Sequence, residues 1–294
     1  MDPTRELAGP EGRMLTIREG GDPGGVPVVI HHGTPSSSLL YGPFVRDAAE
    51  RGIRLVAYDR PGYGGSTRNP GRAVSDCAAD VAAICDALGI ERFCTWGISG
   101  GGPHVLATAA LLPGRVAAAA ALASVAPFGV DGFDFTAGMG EANVESFNAS
   151  AAGEAEHRAQ HELEVAGVRS ATAEQFLEAW GSIIGPADRE VLTGELVEFV
   201  LESIAAGIEP SSDGWFDDDV VFTKPWGFEL SSIRVPVLVW QGEQDKFVPF
   251  SHGVWLAEHI PGVEARLTAD DGHLTILERR LGEVHDWLLA RFND

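Results

Sequence analysis

An α/β protein with a mostly parallel sheet and one helical insertion is what this sequence predicts, on three observations. Short β-branched runs alternate with amphipathic helical stretches along residues 1–126. Alternation stops over residues 127–230, which read as helices alone, and resumes over 231–294. The strand candidates are near-continuously apolar, as strands buried on both faces by helices must be. The expected organisation is therefore one core, 1–126 with 231–294, carrying a helical cap over 127–230.

Each element has its own signal. Residues 14–17 alternate like an early strand, closed by the glycine-rich turn 20–24. A buried strand at 26–31, a helix over 41–51 and a strand at 53–58 follow. Residues 74–88 place Cys77, Val81, Ile84, Cys85 and Leu88 at helical spacing. Then come a strand at 92–96, an Ala/Leu-rich helix ending near Pro113, and a strand at 116–124. The insertion reads as helices over 154–168, 173–184 and 186–206. Thr172 and Gln175 fit a capping box before the second of these, and Pro186 suits the first turn of the third. The last stretch gives strands at 235–240 and 264–268 and helices over 254–259 and 274–292.

Composition narrows the function. A chain of 294 residues buries about three quarters of its extended surface and needs no disulfide or metal staple. Its 43 acidic and 21 basic residues give a net charge of −22, which repels phosphate backbones and anionic lipid. Nucleic-acid and membrane-surface partners are therefore not expected. Cys77, Cys85 and Cys94 are odd in number and lack metal or redox spacing, so they read as buried thiols in a reducing compartment. The first residues resemble no secretory signal, and the longest apolar run, 116–126, falls short of the roughly 20 residues that span a bilayer. A cytoplasmic protein is expected.

The chemistry centres on Gly97-Ile98-Ser99-Gly100-Gly101, between the strand at 92–96 and the helix after it. A strand-to-helix turn this sharp strains its central residue and lifts the side chain above the sheet. The flanking glycines are needed because a Cβ there would meet the neighbouring strand and helix. Ser99 then stands at a helix N-terminus, whose dipole favours a developing anion.

With this elbow, the chain resembles the α/β-hydrolase superfamily over almost its whole length. The other stretches that carry the resemblance are His31-His32-Gly33-Thr34-Pro35, residues 58–66, Gln241-Gly242-Glu243-Gln244-Asp245 and Gly272-His273, in the family's order. The resemblance implies a mostly parallel eight-stranded sheet flanked by helices with the cap inserted, and a triad in the order Ser…Asp…His. Asp245 and His273 fill the last two places, each in a loop leaving the carboxyl end of a predicted parallel strand, where open α/β sheets bind ligands. The rival acid is Asp131, because some relatives carry it after the strand that ends here at 124. The resemblance places the oxyanion-hole amides on Gly100 and Thr34; Pro35 has no N–H to offer. His32, Asp59 and Arg60 read as loop-shaping residues.

Other features take plainer readings. His157 and His161 stand four apart on a helix, a spacing that binds zinc, but no third ligand is evident, so a solvated face is expected. Asp217-Asp218-Asp219 reads as surface charge. Phe128, Trp180, Trp215 and Trp226 are the candidate substrate-binding residues, with Phe216 and Phe222 beside them; the same aromatics would also serve to glue the cap to the core.

The position that holds Asp in haloalkane dehalogenases and epoxide hydrolases holds Ser99 here. The expected reaction is hydrolysis of a small-molecule carboxylic ester, thioester, lactone or amide through an acyl-enzyme, with no cofactor and no metal. Carbon–carbon bond hydrolysis and cofactor-free perhydrolysis suit the same triad. A ligand receptor on the hydrolase fold, with little turnover, is the alternative of another class. Monomer and homo-oligomer both stay open.

Overall fold

The computed structural model describes residues 4–170 and 172–293. In chain order the core opens with β1 (Arg5–Ala8), β2 (Met14–Gly21), β3 (Val26–His31), α1 (Gly42–Glu50) and β4 (Ile53–Tyr58). It continues with α2 (Cys77–Ala87), β5 (Phe93–Ile98), α3 (Gly101–Leu111) and β6 (Val116–Leu122). Between β6 and the next strand lie α4 (Glu141–Ala152), α5 (Glu154–Ser170), α6 (Ala173–Ala179), α7 (Pro186–Val191), α8 (Glu195–Gly207) and α9 (Asp213–Phe222). The core closes with β7 (Val237–Gly242), α10 (Phe250–His259), β8 (Glu264–Thr268) and α11 (His273–Phe292).

One sheet of eight strands runs β1-β2-β4-β3-β5-β6-β7-β8. β2 is antiparallel to both β1 and β4, and every other pairing is parallel. β3, β5, β6 and β7 occupy the middle, and every residue of β5, β6 and β7 is buried. Two apolar clusters, one on each face, sandwich the sheet. The five consecutive alanines of β6 leave helices room to approach both faces closely, which explains a strand written in small residues. Cys77 and Cys85 lie on α2 and Cys94 on β5; burial pushes each thiol up to about 12, so all three are inert.

The strands at 26–31, 53–58 and 264–268 match their predicted bounds. Three elements carry too weak a local signal to have been read: the four-residue edge strand β1, and helices α4 and α9. The helix expected over 186–206 is two, broken where Gly194 takes a φ of +51°. The Thr172 capping box is present, with the Thr172 amide donating to Gln175 Oε1 at 2.9 Å and the Gln175 amide to Thr172 Oγ1 at 3.3 Å. Among the described residues, no helix is long and apolar enough to cross a membrane.

Two expectations about the insertion fail. His157 and His161 are not solvated: with Val165 they form the buried face of α5. Phe216 of α9 stacks on His157 at 4.2 Å between ring centroids, and Trp215 meets His161 edge-on at 5.2 Å. Nor is 217–219 surface charge, since all three aspartates are buried and each has a partner. Arg68 grips Asp217 with two nitrogens at 2.8 Å each, Asp218 takes Arg60 and Arg72, and Asp219 faces His157. A buried carboxylate needs such partners, and here they lie far away in sequence, the three arginines in the loop after β4 and His157 on α5.

Candidate active site

Ser99 follows β5 with a φ of +56°, a left-handed conformation rare outside glycine. Strain of this kind costs on the order of 1–3 kcal/mol and persists only where packing enforces it. The enforcement is visible. A Cβ on Gly97 would stand 2.8 Å from the His31 carbonyl oxygen and 2.9 Å from that of Gly101, and one on Gly101 would collide with the His31 carbonyl. The Ser99 amide donates to the Leu122 carbonyl of β6 at 2.9 Å, tying the elbow to the next strand.

Asp245 and His273 meet. His273 Nδ1 lies 2.8 Å from Asp245 Oδ2, with both side chains buried. Asp245 is itself fixed: Oδ1 accepts the Phe247 and Val248 amides at 2.8 Å each, and Oδ2 accepts Gln241 Nε2 at 2.9 Å. A carboxylate so engaged keeps the Nδ1 tautomer protonated and leaves Nε2 as the available base. Phe247 stacks on the imidazole at 4.5 Å and 18° between planes, holding the ring angle. Burial alone would push the imidazolium below its usual 6.5, but the charge and hydrogen bond of Asp245, with the charge of Asp188, hold it above. The rival Asp131 is exposed, and Asp271 is engaged by Thr268 and Arg280.

Asp188, on α7 of the insertion, touches the site and was missed by sequence reading. Its carboxylate accepts three amides at the start of α11: His273 at 2.9 Å, Leu274 at 2.8 Å and Thr275 at 3.1 Å. The N-cap of α11 is Gly272, which has no side chain to cap with, and a Cβ there would press into the Asp188 carboxylate. Asp188 therefore caps from another element the helix whose first residue is His273. Its place in the first turn of its own helix resembles an ordinary dipole residue, so no local signal reveals the long-range role.

Thr34 and Gly100 come together beside Ser99. A Cβ on Gly100 would collide with Thr34 Oγ1, and all three residues line one cavity of about 640 Å³. Thr34 Oγ1 donates to Asp218 Oδ2 at 2.6 Å and accepts from Arg60 Nη2 at 2.9 Å. Arg60 also donates to the His32 and Gly33 carbonyls, so the loop after β3 is clamped by a buried guanidinium. His32 takes the Arg60 amide on Nε2 at 3.2 Å, the loop-shaping role expected of it.

Trp180, Trp215 and Phe222 line the same cavity, as does Phe247. Phe128 and Trp226 do not, correcting their assignment as substrate-binding residues. Phe128 packs edge-on against Phe135 at 5.1 Å, within an aromatic cluster beside α10. Trp226 stacks with Phe228 at 6.0 Å, and its carbonyl accepts the Ser75 amide at 2.9 Å, so it fastens the end of the insertion to the core. The insertion also supplies Glu164 and Asp219 to the cavity wall. Burial lifts the Glu164 carboxyl to about 7, while burial and the neighbouring Asp218 charge hold Asp219 well above the usual carboxylate range.

A sheet of this order, with a strained serine after β5 and an Asp–His pair after β7 and β8, defines a hydrolase-type α/β protein. The chain belongs to the alpha/beta hydrolase fold family, whose profile matches residues 26–280. A non-heme chloroperoxidase from Streptomyces lividans is 30% identical over 253 residues, 82% of each chain. A bifunctional esterase/perhydrolase from Acinetobacter calcoaceticus is 36% identical over 107 residues, 36% of this chain and 39% of that protein. Among solved structures, a thermophilic esterase from Thermogutta terrifontis matches with a TM-score of 0.71 at 19% identity, covering 98% of this chain and 99% of that one. At that identity the last likeness shows the fold alone.

Proposed function

We propose that the chain is a serine hydrolase that cleaves a small-molecule carboxylic ester through a Ser99 acyl-enzyme. The observation that carries this reading is the buried hydrogen bond between Asp245 and His273, in a fold whose nucleophile position holds a strained serine on a cavity wall. Ser99 Oγ attacks the carbonyl carbon as His273 Nε2 takes its proton. The oxygen that gains charge is met by the Gly100 and Thr34 amides. Collapse expels the alcohol, which leaves with the proton from His273. Water then repeats the sequence and releases the acid. Trp180, Trp215 and Phe222 make the cavity wall apolar, which suits an uncharged ester with a hydrophobic group. The insertion acts in this reading as a cap that sets specificity.

A second reading keeps the triad and changes the acceptor: hydrogen peroxide in place of water converts the acyl-enzyme to a peracid. The name of the Acinetobacter relative, a bifunctional esterase/perhydrolase, is the reason to test it. The first experiment is the intact mass of the protein after exposure to a fluorophosphonate, with Ser99→Ala alongside. A single adduct on the parent and none on the variant is expected, together with turnover of p-nitrophenyl esters and peracid formation when peroxide is added. A folded parent that takes no adduct and turns over no ester would sink the reading in favour of a binding pocket, to be pursued by ligand-induced thermal shift.

The pH profile follows from the site. Only the neutral imidazole accepts a proton, so kcat/KM should fall as pH is lowered through a pKa above 6.5. Asp188→Asn removes one of the charges that hold that value up, and its falling limb should move to lower pH. Asp188→Ala also frees the start of α11 and should lower kcat more than it raises KM, by up to about 10²-fold. An unmoved limb and an unchanged kcat in these variants would reduce Asp188 to a fold-stabilising cap.

A further inference from the structure

We propose that His157, His161 and Asp219 form a binding site for a divalent transition-metal ion, with zinc the best fit to their donors. The inference does not rest on the hydrolase reading. His157 and His161 are one turn apart on the buried face of α5, and Asp219 of α9 supplies the third donor that neighbouring sequence lacks. One ligand atom from each lies within 4.8 Å of the others, and all three residues are buried. His157 Nε2 stands 3.1 Å from Asp219 Oδ2. Ligand bonds of about 2.0–2.1 Å in a tetrahedral site set donors roughly 3.3 Å apart, so this pair already has the spacing of two atoms sharing an ion.

The environment points to a ligand as well. Each imidazole has one nitrogen engaged, His157 Nε2 with Asp219 and His161 Nε2 with Ser212 Oγ at 3.0 Å. The other nitrogen of each, Nδ1, is buried with no hydrogen-bond partner. Such orphaned nitrogens are unusual, since buried polar atoms are nearly always paired; His161 Nδ1 is the one free to take an ion, while His157 would bind through the Nε2 that faces Asp219. Two imidazoles with a carboxylate suit zinc and its first-row neighbours and not calcium or magnesium, which take oxygen donors. Asp219 and Glu164 line the cavity that also holds Ser99. Three protein donors would leave a tetrahedral ion one open position, and Asp219 sets the site at the wall of that cavity.

The test uses the full chain, stripped with chelator and dialysed against zinc sulfate, with metal per chain read by elemental analysis. The parent and the exposed-histidine control His259→Gln should each retain about one zinc, and His161→Gln and Asp219→Asn should lose it. Glutamine keeps a donor toward Ser212, so His161→Gln should fold, which its circular dichroism checks. Zinc should raise the thermal midpoint of the parent and leave that of His161→Gln unmoved. Cobalt in place of zinc should give the parent the intense visible bands of a low-coordinate ion. Zinc retained equally by His161→Gln, or a cobalt spectrum like that of the hydrated ion, would mean an adventitious ion only and would overturn the site. No zinc on the folded parent would overturn it too and leave a hydrogen-bonded knot.

Discussion

Ser99→Ala and His273→Ala are each expected to lower kcat by several orders of magnitude, up to about 10⁶, and the double variant to lose little more. Non-additivity is the informative part. In the proposed reaction Ser99 supplies the attacking oxygen and His273 the base that takes its proton, so removing either abolishes the same step. Rate that survives comes from cavity binding and from amides at the oxyanion position, neither of which the two substitutions touch. The expected measurement is kcat and KM for one ester across the two single variants and the double, with circular dichroism to confirm folding. KM should change little, because neither group is asked to hold the substrate before attack. Losses that multiply would separate the two residues into independent roles and remove the triad from the proposal.

How much of this site was legible follows from the range of the interactions involved. The elbow was readable because Gly97, Ser99 and Gly101 are adjacent in sequence, and their reason for being there is local backbone crowding. Asp245 and His273 were readable as loop residues after strands, although the 2.8 Å contact between them spans 28 residues. The wrong readings of polar residues share one cause. His157, His161 and the aspartates at 217–219 are polar letters on α5 and α9, and polar letters read as solvent-facing. Their burial is decided by partners 51 to 184 residues away in sequence, which no periodicity encodes. Asp188 was invisible for the same reason, being bonded to residues 85 to 87 positions further on. Aromatic residues were legible as buried but not as to which side they face, hence Trp180 on the cavity and Trp226 off it.

Asp218 is where that hidden polarity should have its largest effect on stability. It is fully buried and accepts from Arg60, Arg72 at 2.7 Å, Tyr63 Oη at 2.8 Å and Thr34 at 2.6 Å. Burial alone would raise this carboxyl, but the Arg60 and Arg72 charges overcome it and hold the group well below the usual carboxylate range. Asp218→Ala leaves two guanidinium groups buried without their counter-charge, and breaking such a pair costs about 3–5 kcal/mol. The thermal midpoint should fall on the order of 10 °C. Replacing an isolated buried ion pair by apolar residues often restores stability. Here Arg60→Met/Asp218→Leu should not, because Arg72 keeps its charge and the His32 and Gly33 carbonyls lose the donor that clamps their loop. Activity should fall with stability in Asp218→Ala, since Thr34 loses its acceptor and with it the fixed position of its amide beside Gly100. The two effects separate by assay well below the variant's midpoint, where the folded fraction is complete: kcat should still be reduced there. A midpoint within about 2 °C of the parent's, or full recovery in the double variant, would show that the Asp218 network is an ordinary exchangeable pair and not the link between the insertion and the Thr34 loop.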